Sequence, residues 1–296
     1  MNDLVEWGRI PTPIRNAVVQ GQTGPIRKVR RIASPRPGVT MRVYGERQHV
    51  FLKAIPLTDE TVPLYERERW AGLHLPADAP APRMVWNAII DGWLVLAWEL
   101  VNGDAEHAYL APGSRHAELV LEAMQRLSKL PCPDDARPVA DFITELRKSG
   151  AVMLDLPPGE LRGRDLFMAA LDGFDVEALD GEALLHGDLS PWHLRIVKDD
   201  DVRVVDWSQA CQGAPYVDAA FFAPHLIEAR HSPEHADAML SSLPGWVEAP
   251  AAQVAGLAAL WTLAHLERAA NGPEDRRPME ARLAAVGRKW LAYRFR

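Results

Sequence analysis

The sequence predicts an α+β protein in which a small antiparallel-sheet lobe is followed by a larger, mostly helical lobe. Three observations carry that expectation. Short apolar segments bounded by turn residues crowd the first hundred positions. After Asn102-Gly103 the apolar spacing becomes that of helices. The 296 residues, 48% apolar and 25% charged, suffice for one large core or two modest ones. The boundary falls near Glu99–Gly103, so residues 1–101 are expected to form the first lobe and 102–296 the second.

From Ile26 to Ile55 the text resembles three strands, IRKVRRIA, VTMRVYG and HVFLKAI. Their turns are Ser34-Pro35-Arg36-Pro37-Gly38 and Gly45-Glu46-Arg47. Asp59 to Leu75 is expected to be a helix, with Leu64, Trp70 and Leu73 on its inner stripe. Two more strands, Arg83 to Ile90 and Trp93 to Leu100, join at Asp91-Gly92. Beyond the boundary, helices are expected over Ser114–Leu130, Val139–Lys148 and Gly159–Asp172, with a short piece before Glu182. Strands Leu194–Lys198 and Val202–Val205 follow, turning at Lys198-Asp199-Asp200-Asp201, and helices resume from Tyr216 to the end.

Composition excludes several classes of protein. A net charge of −7 argues against a nucleic-acid partner, which is usually met by a basic surface. No apolar run reaches the ~18–20 residues of a membrane span. The start, MNDLVEWGRIPTP, shows no export signal. Cys132 and Cys211 are too few and too isolated for a disulfide framework or a zinc site, so a reducing cytoplasm is the expected compartment. The charge is uneven. Residues 1–101 hold 13 Lys and Arg against 10 Asp and Glu, whereas the remainder holds 20 against 30. A first part at +3 and a second at −10 suit an anionic nucleotide and a cationic second substrate; the plain alternative is a solubilising acidic surface.

The chemistry concentrates between Leu184 and Phe222, LLHGDLSPWHLRIVKDDDVRVVDWSQACQGAPYVDAAFF. His186-Gly187-Asp188 is followed by His193, five residues after the aspartate, and then by a short hairpin whose second strand runs into Asp206-Trp207. A loop carboxylate such as Asp188 can hold an attacking hydroxyl and accept its proton. A strand-end carboxylate such as Asp206 can bind the cation that shields triphosphate oxygens. Phosphoryl transfer needs mainly positioning and electrostatic stabilisation, which these groups supply.

The segment resembles the catalytic loop and metal-binding segment of the aminoglycoside phosphotransferase and choline kinase family, relatives of the protein kinases. His186-Gly187-Asp188, Asp206-Trp207, Gly213, Pro215 and Asp218 match its pattern in order. The resemblance implies a two-lobed protein-kinase-like fold, ATP (or GTP) with Mg²⁺ as cofactors, and a small-molecule hydroxyl as acceptor. It implies Asp188 as the catalytic residue, Asp206 as the principal metal ligand, and Lys53, on the strand VFLKAI, at the α/β-phosphates. Lys53 should be held by a helix carboxylate, for which Glu68 and Glu66 compete; Glu68 opens ERWAGLHL, text resembling the family's helix. Glu99-Leu100-Val101 falls at the family's inter-lobe hinge, where backbone groups of Glu99 and Val101 would meet the base. Met84, Val85, Leu96 and Ile196 are candidates to sandwich it, or plain core. His186 and Asp218 are expected to brace the loop, and Trp246, Trp261 and Trp290 to be core.

The sequence also departs from the family. His193 stands where the family has a metal-binding Asn, Ser208 follows Asp206-Trp207 where Glu is common, and the loop at Ser34–Gly38 has one glycine. His193 leaves three readings open: ligation of a softer ion such as Mn²⁺, a single-metal site with this position empty, or a hydrogen bond to Asp188 or phosphate. The preference of Mg²⁺ for oxygen argues for the latter two. An antibiotic-inactivating kinase acting on a cationic acceptor is the first expectation, and a metabolic kinase of a sugar or amino alcohol the second. A degraded kinase serving as a nucleotide-binding or interaction module is a rival of another class. Asp155, Glu160, Glu228 and Glu267 are candidate contacts for a cation.

Overall fold

A computed structural model describes residues 7–32, 38–101, 106–197 and 201–295. The chain forms two compact units, Met1–Glu106 with Arg195–Gln209, and His107–Leu194 with Ala210–Arg296. The hairpin segment that follows the His186–His193 text therefore returns to the first unit. Two hydrogen bonds tie it there: Val204 N–H donates to Pro80 O at 2.6 Å, and Arg67 Nε to Ser208 O at 3.0 Å.

The first unit is built on an antiparallel sheet of β1 (Ile26–Arg31), β2 (Val39–Gly45), β3 (His49–Pro56), β4 (Met84–Ile90) and β5 (Trp93–Glu99), in the order β1-β2-β3-β5-β4. Strand alternation gives the sheet two different faces. Met41, Val43, Val50, Leu52, Ala54, Val95 and Ala97 are buried on one, against Ile10, Ile14 and Val18. The last two of these belong to a helix, α1 (Thr12–Val18), for which the sequence reading made no allowance. Its seven residues are too few to show a period, and Ile14 and Val18 pack with the sheet residues as part of one core. The other face carries Ile55, Leu94, Leu96 and Trp98, which pack with Tyr65 of α2 (Val62–His74). Gly72 lets this helix approach closely, because a Cβ there would stand 2.3 Å from Met84 Cε and 2.7 Å from Trp98.

Ser34–Pro37, Asn102-Gly103 and most of the Lys198–Asp201 turn lie outside the described residues. Gly38 is described, with φ 96° and its α-carbon so near β3 that a Cβ would meet Ala54 O at 2.4 Å. Only glycine suits both demands.

The second unit contains α3 (Arg115–Leu127), α4 (Val139–Leu154), α5 (Arg164–Asp172), α6 (Tyr216–Glu228), α7 (Pro233–Leu240), α8 (Ala251–Asn271) and α9 (Arg277–Arg294). Ser114 caps α3, its hydroxyl accepting from His116 N–H at 3.2 Å. The expected helix from Gly159 begins only at Arg164. Gly159 (φ 91°) and Gly163 (φ 76°) are both left-handed, which a right-handed helix does not accommodate. Conversely α4 runs past Lys148, since Gly150 packs beside Leu260 and Leu263 of α8 and the burial offsets its low helix propensity. Breaks in the C-terminal helices fall at Arg230 (φ 79°), Gly245 and Gly272-Pro273. Strands Ala183–Leu185 and Cys211–Gly213, three residues each, pair antiparallel with Leu185 opposite Cys211. The sequence reading missed both, because three residues carry no period. Among the described residues no helix is long and apolar enough to cross a membrane.

Candidate active site

Two groups of site residues form, one in each unit. In the first, β3 sets Lys53 between Thr40 of β2 and Leu96 of β5. On α2 the buried stripe is Tyr65, Glu68 and Ala71, so Glu68 is carried inward against the sheet. Lys53 Nζ lies 2.7 Å from both Glu68 oxygens, with the two side chains 9% and 4% exposed. Asp206 Oδ1 is 3.4 Å from the same ammonium. Glu66 faces outward instead, on Arg69 at 3.4 Å. Between the two helix carboxylates that the sequence left in competition, the geometry gives the lysine to Glu68.

Asp206 has φ 65°, a left-handed conformation that a non-glycine residue adopts at a cost of ~1–3 kcal/mol. Its neighbours hold it there. Trp207 is buried, with its indole N–H donating to Val204 O at 3.0 Å, and Ser208 O accepts from Arg67. Arg67 was missed by sequence reasoning. Its partner lies 141 residues away, and no local pattern announces such a bond. At the expected hinge, Glu99 N–H already donates to Arg83 O at 2.8 Å, and the Glu99 carboxylate accepts from Arg83 N–H.

The second group is centred on the loop His186–His193. Asp218, near the start of α6, accepts from His186 N–H at 2.7 Å and from Gly187 N–H at 2.8 Å. His186 is fully buried and its Nδ1 accepts from Asp188 N–H at 3.2 Å. His193 Nδ1 lies 2.7 Å from Asp188 O and 3.6 Å from Asp188 Oδ2. Leu189 and Ser190 are buried beneath, so the loop is anchored while the Asp188 side chain stays 49% exposed. That suits a carboxylate meeting a diffusible hydroxyl.

Burial pushes the Asp218 carboxyl up to about 6, against the two backbone N–H bonds that favour its charge; the Asp188 charge adds to the rise. An acid whose folded pKa is raised stabilises the fold below its unfolded pKa, and that contribution is lost as pH rises through the folded value. Between pH ~4 and ~6 wild type should therefore lose up to about 3 kcal/mol relative to Asp218→Asn, from a shift of roughly two pKa units. Chemical denaturation at several pH values checks this. A wild-type-minus-variant difference that does not change with pH would sink it.

Oxygen donors suit Mg²⁺, and the Asp206 carboxylate fits that requirement; His193 offers nitrogen instead. Among the described residues no group of three or more His, Cys, Asp or Glu is placed to hold a metal.

The profile of the phosphotransferase enzyme family matches residues 28–251. The chain belongs to that family. It is a small-molecule phosphotransferase acting on a hydroxyl group. No curated protein sequence matches it as a relative. Among solved structures it resembles choline kinase LicA from Streptococcus pneumoniae, at 14% identity over 95% of this chain and 98% of that one, with a TM-score of 0.66. A thermostable mutant of aminoglycoside phosphotransferase APH(4)-Ia, solved with AMP-PNP and hygromycin B, is also similar, at 14% identity, 94% and 99% coverage, and TM-score 0.62. At such identities the likeness concerns the fold, which is the protein-kinase-like α+β fold with two lobes.

Proposed function

We propose that this phosphotransferase moves the γ-phosphoryl group of ATP (or GTP) to a hydroxyl of a small cationic molecule, with an aminoglycoside-type antibiotic as first candidate. The observation that carries the reading is the buried Lys53–Glu68 pair with Asp206 at 3.4 Å from the same ammonium. A lysine held by a carboxylate and backed by a second, partly exposed one is an arrangement for binding a polyphosphate and its counter-ion.

In this reading Lys53 fixes the phosphates and Glu68 orients Lys53. Backbone groups of Glu99 and Val101 hydrogen-bond the base. Asp206 would hold Mg²⁺ (Mn²⁺ the alternative), whose chemistry when bound is to neutralise charge on the phosphate oxygens. Asp188 orients the acceptor hydroxyl and takes its proton late in the transfer, with Asp218 and His186 keeping the loop in place. Residues 1–101 then serve mainly the nucleotide and 102–296 the acceptor, except that Asp206 comes back to the nucleotide side. The retained Lys53–Glu68 pair argues against a degraded kinase. The free thiols Cys132 and Cys211 suit a reducing cytoplasm.

The acceptor's charge is inferred from the −10 balance of residues 102–296. Of the acidic candidates, Asp155 and Glu160 are exposed, whereas Glu228 and Glu267 are half-buried. The likeness to a choline kinase favours an amino alcohol as the second reading. Both acceptors are cations. The deciding experiment is a phosphorylation screen with ATP or GTP and Mg²⁺ against aminoglycosides, peptide antibiotics, amino alcohols and amino sugars. Phosphorylated product from an amine-bearing alcohol is expected. No product from any compound, together with no thermal shift by nucleotide, would refute the reading. For the best acceptor, KM should rise with ionic strength, because screening shortens to ~8 Å at 0.15 M salt. A salt-insensitive KM, or a neutral sugar as best acceptor, would remove the cationic part of the proposal.

A further inference from the structure

We propose that His193 is a positioning residue, whose ring N–H holds the Asp188 peptide in place, and not a metal ligand. The inference rests on the reading of Asp188 as the carboxylate that receives the acceptor hydroxyl.

The loop geometry carries it. His193 N–H donates to Ser190 O at 2.9 Å and closes the turn Ser190-Pro191-Trp192-His193. That turn brings the imidazole back over Asp188, where Nδ1 lies 2.7 Å from the backbone carbonyl. A carbonyl only accepts, so Nδ1 carries the proton, and the tautomer is set by the bond. On the other side of the same residue, Asp188 N–H donates to His186 Nδ1 at 3.2 Å. Asp188 is thus gripped by two imidazoles, one accepting its N–H and one donating to its C=O. The two rings are 5.8 Å apart, and His186 is fully buried while the His193 side chain is 19% exposed. The same Nδ1 lies 3.6 Å from Asp188 Oδ2.

The chemistry of the ring explains why such a substitution works. An Asn side chain has one N–H-bearing nitrogen and one oxygen on the same carbon. Imidazole keeps an N–H at the corresponding distance from its backbone but has no oxygen to offer. The donor function survives the exchange and the hard-ligand function does not. His193 therefore supplies the donor that holds Asp188 and lacks the oxygen that a hard ion prefers.

The test uses the full-length protein. Turnover of His193→Ala should fall ~10²-fold, the cost of about 1 Å of misplacement at a reacting group, with KM for ATP within about threefold of wild type. His193→Asn should recover most of that loss, since its amide N–H reaches the same carbonyl, and His193→Leu should not. Two readouts are independent of turnover. Ring-nitrogen ¹⁵N NMR should find His193 protonated at Nδ1. Mn²⁺ titration with AMP-PNP should count the same number of ions in wild type and His193→Ala. Loss of one Mn²⁺ in His193→Ala, an Nε2-protonated ring, or an Asn variant as poor as the Ala variant would each overturn the proposal. Absence of phosphotransfer by wild type to any acceptor would instead sink the functional reading, and the Mn²⁺ count would still decide whether His193 is a metal ligand.

Discussion

Asp188→Ala should lower turnover by ~10²–10⁴ and leave nucleotide affinity within about threefold of wild type. The split follows from where the residue's contacts lie. Its N–H is held by His186 and its C=O by His193, and both bonds are to the backbone, so they survive removal of the carboxylate. Asp218 grips His186 and Gly187, the two residues before Asp188, and is equally untouched. The half-exposed Asp188 carboxylate is not part of the packing, and its loss should cost little stability. Asp206→Ala should behave differently. That carboxylate faces Lys53, and removing it should weaken metal-dependent nucleotide binding as well as turnover. Calorimetric titration with ATP and Mg²⁺, beside steady-state rates on the acceptor found in the screen, separates the two cases. Near-normal phosphorylation by Asp188→Ala would mean that the wrong loop had been assigned.

The sequence made the sheet legible because its five strands are short, largely apolar segments punctuated by Gly45-Glu46-Arg47 and Asp91-Gly92. It could not show that α1 covers one face of that sheet. The identity of that helix depends on strands lying far along the chain, and Pro11 and Pro13 read locally as breakers, though Pro13 sits harmlessly in the first turn. The His186–Asp218 loop was legible for another reason: its chemistry is packed into thirty-three residues, and each match restrains the next. The partner of Lys53 was only half legible. Both Glu66 and Glu68 lie on α2, and a two-residue step on a helix turns a side chain by ~200°, so one must face in and the other out. The sequence does not say which until the positions of Tyr65 and Ala71 fix the buried stripe. The Asp206 backbone and the Arg67–Ser208 bond were not legible at all, since both arise from tertiary packing around a strained residue.

Breaking the Lys53–Glu68 pair should be costly one residue at a time and much cheaper when both are replaced. Each side chain is more than nine-tenths buried, so a single substitution strands a charge away from water. Glu68→Ala is expected to destabilise the fold by about 3–5 kcal/mol, the usual cost of leaving one member of a buried ion pair without its partner. Asp206 at 3.4 Å softens this by drawing the ammonium towards itself, which places the expected value at the lower end. Lys53→Met leaves two carboxylates facing each other and should cost at least as much. The double replacement, Lys53→Met with Glu68→Leu, removes both buried charges and fills their volume. It should recover most of the lost stability, so the two single effects will not add. Nucleotide binding should not recover, because the proposed function assigns the phosphates to Lys53. Glu66→Ala serves as the control: its pair with Arg69 is only partly buried, and a change of no more than about 1 kcal/mol is expected. Urea denaturation of the four variants and their ATP-induced thermal shifts are the measurements. A double variant no more stable than the worse single, or Glu66→Ala as damaging as Glu68→Ala, would show that the pair does not anchor this site.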